Sequence, residues 1–312
     1  MRLQTTGVVF GLLVGHVAAQ DPGGWHWPRL NTSKPASETW PWHFGGPSNE
    51  WKSYTFKSRI PSTCVPYETY VQTAHEPRST GKLKVPYMRP PPECRTFNSS
   101  AAEKVVEYMK AHMRDPDLAR LFENSFSMPL DTTIKWFDPE KGLSFIVTGE
   151  RDAQWMRDTE LQLAHLYRVL PWDENLRNLF KSIIKTETRF LTNWTFCSAM
   201  QPPPESGLPP ILNKDPTHKI VSDSMQLIPN HTVYECKWNV ASLASFLRIS
   251  RKYWEHTKDD SFVTPEWTEA VWRIMDVLNV QTRGKMLNEV TQFHFRKRAS
   301  KPIAPWPRTP AK

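Results

Sequence analysis

What this 312-residue sequence lacks narrows its function first. No CxxC and no HExxH occurs. The four cysteines, Cys64, Cys94, Cys197 and Cys236, have none of the spacings of a zinc site. No metal or other cofactor is therefore expected. Beyond residue 19 no apolar run approaches the roughly 20 residues that span a bilayer. Charge of one sign is also missing from the body. The net charge is +8, but residues 283–312 hold eight Lys or Arg against one Glu, so the first 282 residues sum to about +1. A near-neutral body with a basic tail is a poor nucleic-acid binder, and the tail reads as solvated.

Against these absences stands a clear leader. "MRLQTTGVVFGLLVGHVAAQD" has Arg2 at its positive end, an apolar stretch from Gly7 to Val17, and small residues at Ala18 and Ala19. This is the layout of a cleaved signal peptide, so a secreted chain, or one in the secretory pathway, is expected, with no membrane association after cleavage. Four sequons, at Asn31, Asn98, Asn193 and Asn230, fit that expectation. So does an even cysteine count, which allows two disulfides in an oxidising compartment. The pairing stays open, with Cys197–Cys236 one arrangement.

Residues 20–90 are rich in Pro and Trp. Their composition forbids long helices and predicts an irregular extension, with Trp25, Trp27, Trp40, Trp42 and Trp51 pinning it to a globular body. Regular structure begins in "SSAAEKVVEYMKAHM", where Ser100 and Glu103 suggest a capping box ahead of a stripe of Val105, Val106, Met109 and Met113. "TTIKWFDPEKGLSFIVTG" reads as a hairpin turning at residues 138–142. Helices are then predicted over 152–170, 174–191 and 238–256. A last one, capped by Thr264 with Pro265 in its first turn, has Trp267, Val271, Ile274, Met275 and Leu278 as its stripe. Periodicity ends near Val290. The expected division is a signal peptide (1–19), the extension (20–90), a helical body (91–290) and a basic tail (291–312).

Three stretches carry chemistry. "QWMRDTELQL" sets Trp155, Arg157 and Asp158 at a helix start, where the adjacent Arg and Asp can grip two sugar hydroxyls, one donating and one accepting. They can equally pair with each other, with Asp favoured by the helix dipole. "MQPPPESGLPP" fixes Gln201 and Glu205 on a loop stiffened by proline. "YECKWN" adds Glu235 and Lys237, either a solvated pair or part of a site.

Together these stretches resemble the fungal branch of glycoside hydrolase family 125, the exo-α-1,6-mannosidases. The resemblance runs in order through "PPECRTFNSSA", "DPDLARLFENSF", "LDTTIKWF", "SFIVTGERDAQWMRD", "FCSAMQPPPESGL", "VYECKWNVASLASFLRIS" and "FVTPEWTEAVWRIMDVL", about residues 90–282. It implies a mainly α fold, a partial (α/α)6 barrel, with α-mannoside glycans as partners. The implied reaction is metal-independent hydrolysis with inversion by two carboxyl groups, one protonating the leaving oxygen and one activating water.

The sequence departs from that family in two places. Where the family reads Glu-Cys-Lys-Tyr-Glu-Leu-Asp-Ser, with its Asp the general acid, this chain has Glu235, Cys236, Lys237, Trp238, Asn239, Val240, Ala241 and Ser242. An alanine cannot donate a proton, and Glu235, six residues away on an assumed common helix, would face the far side. The family's base lies in the C-terminal half of a longer chain. The catalytic residues of this chain are therefore left unassigned. The expectation is a truncated or mispredicted gene product, or a degenerate relative, that binds mannosides without turning them over or does not function at all.

Overall fold

The computed structural model describes residues 60–149, 151–213, 232–236 and 239–282. All fall in a unit of residues Trp51–Lys312; the unit Met1–Glu50 lies outside the described residues, as do all five Trp of the extension. From residue 60 to the first long helix the described stretch of chain has a single-turn helix α1 (Tyr67–Tyr70), an isolated bridge between His75 and Tyr87 and a 3-10 turn at Pro92–Cys94. A Cys64–Cys94 disulfide closes it. Charge fixes it to the body. Arg89, buried, donates from Nε to Asp131 Oδ2 at 2.7 Å and from Nη1 to Glu103 Oε2 at 2.8 Å.

Helix α2 (Ser100–His112) begins one residue earlier than a Ser100 cap would place it. Ser99 Oγ accepts from Ala102 N at 3.1 Å and donates to Asp173 Oδ2 at 2.6 Å, while Asp173 Oδ1 accepts from Leu176 N at 2.9 Å. One hydrogen-bonded Ser–Asp pair therefore caps two helices. Glu103 is not free to close the expected box because Arg89 holds it. Asp115 caps α3 (Pro116–Phe126), and α4 (Met128–Thr132) leads into the expected hairpin, β1 (Ile134–Asp138) and β2 (Leu143–Ile146). Asp138 Oδ1 accepts from Glu140 N and Lys141 N, and Gly142 takes the left-handed backbone that completes the turn, φ 61°.

The single helix predicted over 152–170 is broken. Gln154–Trp155 forms β3, α5 covers Met156–Leu163, and 3-10 turns follow at Ala164–Arg168 and Leu170–Trp172. Strand pairing removes Trp155 from the helix, and Pro171 supplies no backbone N–H to continue it. Of the positions that a continuous helix would turn inward, Leu163, Leu166 and Leu170 are buried, while Trp155 is only half-buried.

Helix α6 (Glu174–Trp194) is the central element, packing on β2, on α7 (Val240–Thr257) and on α8 (Pro265–Thr282). Thr264 Oγ1 accepts from Trp267 N at the start of α8. The buried stripe of α8 is Trp267, Ala270, Val271, Ile274 and Val277; Met275, expected inward, is exposed, as is Trp272 at 58%. Met275 keeps the four-residue spacing from Val271, but at about 100° per residue it lies roughly 100° from the centre of the buried set, on the edge opposite Val277. None of the described helices is long and apolar enough to cross a membrane.

Candidate functional site

A three-stranded sheet organises the site. Ala199–Met200 (β4) lies between β3 and Val233–Glu235 (β5), antiparallel to both. Trp155, Ala199 and Glu235 form one row, since Ala199 pairs with both. Strands β3 and β5 are thus parallel. Helix α5 follows β3 directly, α7 follows β5 after four residues, and the two helices pack together. Their N-terminal turns thus both follow strands of this one sheet. Cys197–Cys236 locks β4 to β5 beside them, both cysteines buried, Cα–Cα 3.8 Å.

The sequence candidates take different positions in this frame. Trp155 is half-buried, its ring edge-on to Tyr234 at 6.2 Å between centroids. Arg157 and Asp158, in the first turn of α5, pair with each other, Nη2 to Oδ2 3.0 Å, with both side chains partly exposed. Gln201 is buried and committed. Its amide donates to Ile211 O at 2.8 Å and accepts from Ile211 N at 2.9 Å, so it braces the 201–211 loop. Glu205 sits in a 3-10 turn and pairs with Arg189 of α6 at 3.0 Å. Partial burial opposes its ionisation, but hydrogen bonds, Arg189 among them, hold its carboxyl below the ordinary value. Glu235 ends β5, half-buried, and its carbonyl accepts from Ser198 N. Lys237 lies outside the described residues. Of the sequons, Asn98 and Asn193 are exposed, while Asn31 and Asn230 lie outside the described residues.

Asn239 is the N-cap of α7, its Oδ1 accepting from Ala241 N at 3.0 Å, and Ala241 is half-buried in the first turn. The helical-angle argument against Glu235 does not hold, because Glu235 is on a strand and α7 begins only at Val240. What separates Glu235 from Ala241 is the Cys236 disulfide and the helix cap.

Sequence reasoning missed Gln154, Glu160 and Glu187, all fully buried. A signal existed. Glu160 falls four residues after Met156 and three before Leu163, and Glu187 three after Ile184 and four before Leu191, so both acids lie on apolar stripes. Tyr234, which receives the Arg151 Nη1 bond at 3.2 Å and forms the wall behind Trp155, was also missed. Among the described residues no group of three or more His, Cys, Asp or Glu could hold a metal ion.

Comparison with known proteins fits this arrangement. Residues 115–306 match the family described as metal-independent alpha-mannosidase (GH125). A "meiotically up-regulated gene 157 protein" of Schizosaccharomyces pombe is 38% identical over 224 residues, 70% of this chain and 42% of that protein. A Streptococcus pneumoniae metal-independent α-mannosidase, solved in a non-productive complex with α-1,6-mannobiose, shares the fold at a TM-score of 0.52 and 19% identity. The match covers 66% of this chain and 44% of that one. The chain thus spans less than half the length of these relatives, and it belongs to the metal-independent α-mannosidase family, glycoside hydrolase family 125.

Proposed function

We propose that this chain supplies part of an α-mannoside site of the exo-α-1,6-mannosidase type, built on one portion of an (α/α)6 barrel, and that as given it binds mannosides without hydrolysing them. The observation that carries the reading is Ala241 in the first turn of α7, beside Asn239 whose side-chain oxygen is occupied by the helix cap. Where the family resemblance puts a proton donor, this chain has a methyl group and a capping amide. Loss of a general acid typically lowers the rate by ~10²- to 10⁴-fold. The site's polar groups serve binding instead. Asp158 and Arg157 offer an acceptor and donors to neighbouring hydroxyls, and the half-buried Trp155 offers an apolar face to a sugar ring. Two disulfides, the leader and exposed Asn98 and Asn193 support a secreted glycoprotein.

Calorimetry with α-1,6-mannobiose, paired with a hydrolysis assay, tests the reading. Binding without turnover is expected, and Asp158→Ala should abolish the binding. Turnover by the unmodified chain at a rate near that of an intact relative would overturn it, and Asp158, Glu205 and Glu235 would then be the carboxylates to substitute first. Equal heats from wild type and Asp158→Ala would favour a chain with no mannoside function.

A further inference from the structure

Helix α5, which carries Arg157 and Asp158, covers eight residues, about two turns. Isolated helices of that length are marginal, so its placement is set by what holds it. At its start, Gln154 and Trp155 are pinned in β3 by pairing with Met200 and Ala199. Further along, the fastening is ionic. Glu160 lies on the buried face of α5 with Met156, Thr159 and Leu163, and its side chain is fully enclosed. Its Oε1 accepts from the Tyr167 hydroxyl at 2.8 Å and pairs with Arg248 Nε of α7 at 3.0 Å. Tyr167 extends the contact. Its ring lies parallel to that of His256 of α7, 6.1 Å between centroids, and tilts against Phe180 of α6 at 5.5 Å. One carboxylate oxygen thus ties α5 both to the turn that follows it and to α7.

An acid is a costly choice at this position. A buried carboxylate carries a desolvation penalty that an apolar side chain on the same stripe would not. What the acid adds is direction. Hydrogen bonds and ion pairs to fixed atoms weaken steeply when their geometry turns, whereas apolar packing is non-directional. Arg157 and Asp158 lie three and two residues before Glu160, so any rotation of α5 carries them with it. We propose that Glu160 is a positioning residue: braced by Arg248 and Tyr167, it sets the rotation of α5 and so aims Arg157 and Asp158 at the sugar. The aiming rests on the mannoside reading given above, and the fastening does not. Glu160, fully enclosed, touches no sugar itself.

Hydrogen–deuterium exchange of the full chain, read by mass spectrometry, tests the fastening, and calorimetry with α-1,6-mannobiose tests the aiming. Arg248 is half exposed, so Arg248→Met should fold. It should speed exchange in α5 while α6 exchanges as in wild type. It should also weaken mannobiose binding by about 2- to 30-fold, the range over which remote contacts modulate a site. Arg248→Lys, which keeps the charge, should recover part of both effects. Tyr167→Phe, which removes only the hydroxyl, should shift both in the same direction as Arg248→Met. Exchange unchanged in α5 in both Arg248→Met and Tyr167→Phe overturns the proposal. So does exchange raised as much in α6 as in α5, which marks an ordinary stabilising pair. Faster exchange in α5 with mannobiose affinity equal to wild type overturns the aiming. A wild type that binds no mannobiose sinks the mannoside reading and the aiming with it, whereas faster exchange confined to α5 would still support the fastening.

Discussion

Replacing Arg89 with Met should unfold this protein more readily at neutral than at acidic pH, and the size of the difference can be worked out. Arg89 holds Asp131 through Nε and Nη2, at 2.7 and 3.0 Å, with both side chains 2% exposed. Methionine fills much of the volume and supplies no charge. Breaking a buried pair from one side typically costs about 3–5 kcal/mol, because the remaining charge is stranded. The cost has a ceiling, since the stranded carboxylate can take a proton. From an ordinary Asp pKa of about 3.9, protonation costs about 4 kcal/mol at pH 7 and about 1.5 kcal/mol at pH 5. The destabilisation should therefore be about 4 kcal/mol at pH 7 and shrink by about 2–3 kcal/mol at pH 5. The sign follows from Asp131 alone. Burial already holds the Asp131 carboxyl above its ordinary value against the pull of Arg89, and in the variant it rises further, so more stability is lost as pH increases. Arg95 Nε, 3.7 Å from Asp131 Oδ1, remains as a weaker neighbour and trims the effect. Urea denaturation of both proteins at the two pH values measures it. A loss below about 1 kcal/mol at pH 7, or one equal at both pH values, would refute the claim that Arg89 neutralises a buried carboxylate.

Other outcomes follow from single contacts. Cys197→Ala/Cys236→Ala opens a loop of sequence separation 39; chain entropy assigns such a crosslink about 4 kcal/mol, and a thermal midpoint lowered by less than about 3 °C would contradict it. Asn239→Ala removes the α7 cap and should cost about 1 kcal/mol, whereas Asn239→Asp should keep stability or raise it slightly, both read by denaturant midpoint. Ala241→Asp puts a carboxylate in the first turn of α7 and should change stability by no more than about 1 kcal/mol; aggregation or unfolding of that variant would show the position is closed to an acid.

The elements legible in the sequence are those whose signals are local. Helix α6 shows its stripe of Leu176, Leu179, Phe180, Ile183 and Ile184 over about two and a half turns, and the hairpin carries its Asp138–Gly142 turn within itself. The sheet behind the site could not be read this way. Strands β3 and β4 are two residues long, too short to show a period of two, and they join residues far apart in the chain, Gln154 with Met200 and Trp155 with Ala199. That pairing broke the helix predicted from residue 152. The cap of α2 went astray for a related reason: Ser99 was chosen over Ser100 by Asp173, which is 74 residues away. The Arg89 network is equally non-local, joining the extension to α2 and to α4.

The candidate residues stand out in the sequence because they cluster in three short stretches, but their commitments are tertiary. Nothing in "MQPPPESGL" shows that Gln201 is consumed by Ile211 or that Glu205 is held by Arg189. If Ala241 stands where a proton donor is expected, a buried acid would have to serve in its place, and the geometry of α5 and α7 bears on that. Arg248 lies seven residues after Ala241, two helical turns, so on the same face and about 10 Å further along the axis. Glu160 meets Arg248 at that depth, 3.0 Å from its Nε, and has no exposed surface. A general acid must reach within about 3 Å of the leaving oxygen. Along α5, Glu160 is only about one turn from the helix start, so it is enclosure rather than distance that keeps it from a sugar held there. Glu187 is also fully enclosed, held in place by Gln154. Neither could act in place of Ala241 without being uncovered, and uncovering Glu160 would disturb the packing of α5, the helix that carries the proposed sugar-holding residues Arg157 and Asp158.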